Sequence, residues 1–105
     1  MNMSREQTQD LVDRILAAIH PERIILFGSA ARGEMNSRSD VDVLVVAPEG
    51  AHRRRTAQAI YRRLLGFEIP VDVVVATPSD LEQHGEASDL VYRQALHEGR
   101  DIYAA

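Results

Sequence analysis

The chain has 105 residues, a formal net charge of −4 and no cysteine. That length fits one domain around one core. The acidic balance argues against a protein built to grip a phosphate backbone, and the missing thiols exclude disulfides, thiolate nucleophiles and zinc–cysteine centres. No stretch approaches the ~20 apolar residues of a membrane span, and the opening "MNMSREQTQD" lacks the apolar segment of a signal peptide. A soluble cytoplasmic protein is therefore expected. All twelve basic residues are Arg and none is Lys, which reads as compositional bias as readily as function.

Ser4 and Gln7 have capping-box spacing, and Leu11, Val12, Ile15, Leu16 and Ile19 recur at helical intervals. They predict an amphipathic first helix that Pro21 ends. "RIILF", Arg23 to Phe27, is a short buried strand stopped by Gly28. A second strand covers Asp40 to Ala47, followed by a turn at Pro48 to Gly50. Ala57, Ile60 and Leu64 mark the apolar side of a helix from Arg53 to Leu65, with Gly66 at its end. Val71 to Ala76 is a third strand, and Thr77-Pro78-Ser79-Asp80 has the cap, proline and acid of a helix start. A last helix runs from Ser88 to Glu98 and is closed by Gly99, after which "RDIYA" adds a short edge strand. The fold class is α/β: a small mixed sheet flanked by helices, in one domain.

The second and third strands place acids at their mouths, in "SDVDVLVVAP" and "VDVVVATP". The likeness of these stretches is that of two Val-rich buried strands rather than of a duplication. Alternate strand residues share a face, so Asp40 and Asp42 point the same way, with Cα atoms ~6.5–7 Å apart. Carboxylates converging to about 4 Å repel by roughly 4 kcal/mol at an effective dielectric near 20. Protonation, a cation or exposure at the sheet's end would relieve that cost. With Asp72 at the matching point of the third strand, a divalent cation is the better account, and an oxygen-only set suits Mg²⁺ or Mn²⁺.

Just upstream, the first strand runs into Gly28-Ser29, and Ala30-Ala31-Arg32 reads as the first turn of a helix. Free backbone N–H groups beside a serine hydroxyl make a phosphate cradle. The ending of a Walker loop and the spacing of a dinucleotide fingerprint are both absent. An antiparallel first pair and a parallel second pair, joined by the 53–65 helix, would gather this turn and all three acids on one rim. Phosphate, metal and carboxylates together suggest phosphoryl or nucleotidyl transfer with two metals.

The segment "GSAARGEMNSRSDVDVLV" resembles the signature of the DNA polymerase β-like nucleotidyltransferases, and most closely their minimal (MNT) group. The likeness extends from the N-terminal helix through "PVDVVV" to "VYRQALHEGRDIY". It implies a single nucleotidyltransferase domain in which Gly28 and Ser29 hold the β- and γ-phosphates of a nucleoside triphosphate. It further implies that Asp40 and Asp42 bind two Mg²⁺ ions, and that Asp72 completes the catalytic ion's shell and helps deprotonate the attacking hydroxyl. Arg32 either faces phosphate or braces the loop, and Arg38 is assigned to the triphosphate. Small members of the family are similar to antitoxins of HEPN RNase toxins, some of which transfer AMP from ATP onto a tyrosine of the toxin. Only about 30 residues follow the third strand, too few for a dedicated small-acceptor pocket, so a partner would bring the hydroxyl; that this partner is a HEPN protein is what the resemblance implies. A non-catalytic module that occludes its partner, and a small-molecule nucleotidyltransferase, are the alternatives.

"HRRR", His52 to Arg55, with Arg62-Arg63 forms a basic strip that reads as a solvated helix face, with an acidic partner or RNA as the other readings. The three tyrosines are too scattered for base-stacking platforms, and no histidine stands with an acid at ligand spacing. Leu90, Val91, Ala95 and Leu96 read as core, although such apolar residues could also serve a homo- or hetero-oligomer interface.

Overall fold

The computed structural model describes residues 3–33, 40–84 and 90–105. Helix α1 (Arg5–Ala18) begins with the expected reciprocal cap. Ser4 Oγ accepts from Gln7 N–H at 3.0 Å while Gln7 Oε1 accepts from Ser4 N–H at 2.8 Å. Then follow β1 (Arg23–Phe27), a one-turn α2 (Ser29–Arg32), β2 (Val41–Val46), α3 (Arg53–Arg63) and β3 (Val71–Ala76). The chain closes with α4 (Pro78–His84), α5 (Leu90–Glu98) and β4 (Arg100–Ala104). The expected elements are all present, with shifted ends. Strand β2 starts one residue after Asp40, α3 stops at Arg63, and the Ser88 start expected for the last helix lies outside the described residues.

The sheet has the order β3-β2-β1-β4. Strand β1 runs antiparallel to both β2 and β4, while β2 and β3 are parallel, with α3 in the crossover that a parallel pair requires. "RDIYA" is thus the edge beyond β1, with its register shifted between Ile24 and Ile25.

Strand alternation divides the core into two layers. Ile24, Leu26, Val41, Val43 and Val45 pack with Leu11 and Ile15 of α1 and Ile60 of α3. On the opposite face Ile25, Phe27, Leu44, Val46 and Ala76 meet Tyr92 and Ala95 of α5. Gly99 permits the tight exit from α5 into β4, because a Cβ there would strike the Ala95 carbonyl oxygen and Ile25. Strand β3 is less covered than β2: Val73 and Val74 are half-buried, whereas their partners Val43 and Leu44 are fully buried. The acids therefore sit where the sheet opens.

Candidate active site

Strand registers assemble the site. Phe27 pairs with Asp42 across β1 and β2, and Asp42 pairs with Asp72 across β2 and β3. The two aspartates share a face because parallel partners in register point the same way. That is the α5-covered face, where Leu44 and Val74 continue the two rows. Asp40 lies just outside β2 and is exposed, two residues before Asp42.

Gly28 joins the strands to the turn. Its φ of 73° and ψ of −151° belong to a region open almost only to glycine. A Cβ at this position would lie 2.5 Å from Asp42 Oδ2. The backbone thus passes directly against the carboxylate, and α2 starts immediately after it. Ser29 is the first residue of that turn, Gly28 caps it without a side chain, and Gly33 ends it in the left-handed conformation. First-turn N–H groups have no acceptor within the helix, which leaves donors at this rim.

Asp42 is half-buried, and its carboxyl is held above the usual carboxylate range. Burial is the main cause, the charges of Asp72 and then Asp40 add to it, and Arg32 acts in the opposite direction. The fold therefore brings Asp40, Asp42, Asp72, Gly28 and Arg32 into one electrostatic neighbourhood. Arg38 lies outside the described residues. Among the described residues no group of three His, Asp or Glu side chains stands in metal-holding geometry. What the site offers is an all-carboxylate donor set whose most buried member is short of positive charge.

Several contacts around the site have no local sequence signal. The guanidinium of Arg32 lies 3.8 Å from Glu98 at the end of α5. On the outer edge of β3, the Tyr61 hydroxyl accepts a hydrogen bond from the Val73 N–H at 2.9 Å. At the other end of the strands, the Arg53 guanidinium lies 3.7 Å from Asp80. Asp80 in turn caps α4 through Thr77 N–H, at 3.0 Å. That network ties α3 to α4 away from the acids. Nothing short of the folded chain places these residues side by side.

Comparison with solved structures finds the same fold in toxin–antitoxin complexes. A toxin–antitoxin structure with AMP-PNP aligns with TM-score 0.67 at 22% identity, over 93% of this chain and 73% of that one. The MntA–HpeT pair, carrying two Asp-to-Glu substitutions two positions apart, aligns with TM-score 0.70 at 17% identity, over 93% and 73%. A tri-AMPylated HEPN toxin in complex with MNT antitoxin, from Shewanella oneidensis, gives TM-score 0.65 at 18% identity, over 98% and 74%. No curated protein sequence matches the chain. Residues 6–102 match the profile of the Nucleotidyltransferase domain family, and the chain belongs to that family.

Proposed function

We propose that the protein moves a nucleoside monophosphate, AMP from ATP, onto a hydroxyl of a partner protein, and that it serves as antitoxin to a HEPN-domain RNase. The observation that carries this reading is the pairing of Asp42 with Asp72 directly under the Gly28 turn. It sets a carboxylate pair beside backbone donors suited to phosphate. The solved relatives support the direction: one was crystallised with AMP-PNP, another with an AMPylated HEPN toxin.

Asp40, Asp42 and Asp72 are the residues that would hold two divalent cations, Mg²⁺ or Mn²⁺. Their oxygen-only donors suit hard ions, and the Asp42 carboxyl is raised first by burial and then by the charges of Asp72 and Asp40. When bound, such ions neutralise charge at the transferred phosphorus and polarise the acceptor hydroxyl. Gly28 and Ser29 hold the β- and γ-phosphates through the N–H groups that open α2. Arg32 adds a cation at the same rim, and Arg38, outside the described residues, is assigned to the triphosphate from the resemblance alone. The acceptor oxygen attacks the α-phosphorus, the bond to the bridging oxygen breaks, and pyrophosphate leaves. The hydroxyl proton passes to Asp72. Because β3 is an edge strand and Asp72 is exposed, the acceptor side is open to a protein surface.

The test is intact-mass analysis of the neighbouring gene's product, incubated with this protein, ATP and Mg²⁺. A mass gain in AMP increments is expected with wild type and none with Asp42→Asn; an unchanged mass with a wild type that binds its partner refutes the proposal. A second reading is occlusion of the partner without chemistry, since the similar solved structures are toxin–antitoxin complexes. It predicts that Asp40→Asn with Asp42→Asn still neutralises the toxin.

A further inference from the structure

The outer face of α3 carries features that the transfer reaction does not use. Ile60 is buried and Ala57 and Leu64 pack on the core, which turns Arg54, Gln58, Tyr61, Arg62 and Leu65 to solvent. Tyr61 and Leu65 are 41% and 77% exposed, and they are the exposed large apolar side chains among the described residues. They stand together over a groove of about 290 Å³, whose other wall is formed by Phe67, Ile69 and Pro70. Gln58 and Arg62 join the same two residues in a neighbouring hollow.

The charge around this groove is one-sided. No acid occurs between Glu49 and Glu68, whereas Arg53, Arg54, Arg55, Arg62 and Arg63 all fall in that interval of an otherwise acidic chain. Arg53 is engaged by Asp80, and the other four occupy exposed positions. Solvation accounts for arginines on a helix; it does not account for an exposed leucine set among them beside a groove. A second copy docked by a two-fold axis on this face would bring Arg54 and Arg62 toward their own counterparts. Nucleic acid would engage the arginines but leave Leu65 and the groove unused, against an unfavourable net charge. A protein segment with carboxylates around an apolar anchor satisfies both the charge and the groove.

The location adds a purpose. Tyr61 bonds the N–H of Val73, the residue that follows Asp72, so a body resting on Tyr61 and Leu65 lies along the edge of the sheet that bears the acids. We propose that this face of α3 docks an acidic, apolar-anchored segment of the protein that brings the acceptor hydroxyl. The partner's identity as the acceptor rests on the function proposed above; the chemistry of the surface does not.

The test reads binding alone, by fluorescence anisotropy and without nucleotide. The probe is a labelled helical peptide with glutamates flanking a Leu/Phe stripe; the comparators are the same peptide with lysine for glutamate, and a short oligouridine. Wild type is expected to bind the glutamate peptide saturably. Leu65→Asp, at a site too exposed to disturb folding, weakens it at least about tenfold, as does Arg54→Glu with Arg62→Glu. The double reversal also gains affinity for the lysine peptide. The proposal is overturned if wild type fails to bind the glutamate peptide, if Leu65→Asp leaves the affinity unchanged, or if oligouridine binds better. A dimer in sedimentation that Leu65→Asp dissolves also overturns it, because the face then belongs to a second copy. Intact peptide binding alongside an unmodified acceptor would count against the transferase reading alone.

Discussion

Replacing Asp42 by Asn should stabilise the protein in the absence of divalent cations. The Asp42 carboxyl is raised by burial and by its acidic neighbours, so the folded chain holds that proton more tightly than the unfolded chain does. Its contribution to stability is then most favourable below the ordinary aspartate pKa. It declines as pH rises toward the raised value and is fully unfavourable above it. The size follows from the register: adjacent strands lie ~4.8 Å apart, so the Asp42 and Asp72 carboxylates repel by roughly 3 kcal/mol at an effective dielectric near 20. Asp72 is exposed and Asp42 only half-buried, so solvent reduces this to about 1 kcal/mol. For a domain of this length that corresponds to a Tm shift of about 4–8 °C. Thermal and urea unfolding in EDTA should show Asp42→Asn above wild type near neutral pH, with the gain vanishing toward about pH 3, below the aspartate range. Adding Mg²⁺ should raise the wild-type Tm and leave the variant where it was. A variant less stable than wild type in EDTA at neutral pH, or a gain that persists in acid, would refute the electrostatic account of this rim.

Gly28→Ala demands a backbone conformation that alanine disfavours and puts a Cβ against Asp42 Oδ2. It should cost about 1–3 kcal/mol in urea unfolding and abolish AMP transfer. Arg14 donates from one guanidinium nitrogen to the carbonyls of Arg63 and Leu65, at 3.0 and 2.9 Å, and lies over the Phe67 ring. Arg14→Met should therefore lose about 1–2 kcal/mol and loosen the end of α3, visible as faster amide exchange at residues 63–67. Tyr61→Phe leaves the Val73 N–H without its partner; about 1 kcal/mol and faster exchange at Val73 are expected.

Much of this architecture is legible along the chain because its causes are local. The Ser4–Gln7 cap is a property of four residues, and both of its hydrogen bonds form as the spacing predicts. Aliphatic runs at Ile24–Phe27, Val41–Val46 and Val71–Ala76 become three adjacent strands of the sheet, since β-branched residues alternating across a covered sheet have few other places to go. Asp-x-Asp is legible for the same reason: strand periodicity puts both carboxylates on one side whatever surrounds them. An antiparallel β1–β2 and a parallel β2–β3 follow from where the acids and the glycine turn stand relative to the strand ends.

Tertiary structure alone decided how unequal the acids are. Asp42 lies on an interior strand against the Gly28 backbone and is half-buried, while Asp72, its partner in register, is exposed on an edge strand and Asp40 is exposed just before β2. The Asp42 carboxyl is raised chiefly by desolvation, which depends on which layers cover a strand, and no window of sequence contains those layers. The same holds for Tyr61 closing the β3 edge and Arg32 reaching Glu98: each joins positions set together by helices and strands folded far apart in the chain. Sequence determined which residues line a strand face; packing determined which of them meets water, which meets a neighbour's charge, and which is left at the rim where a substrate can arrive.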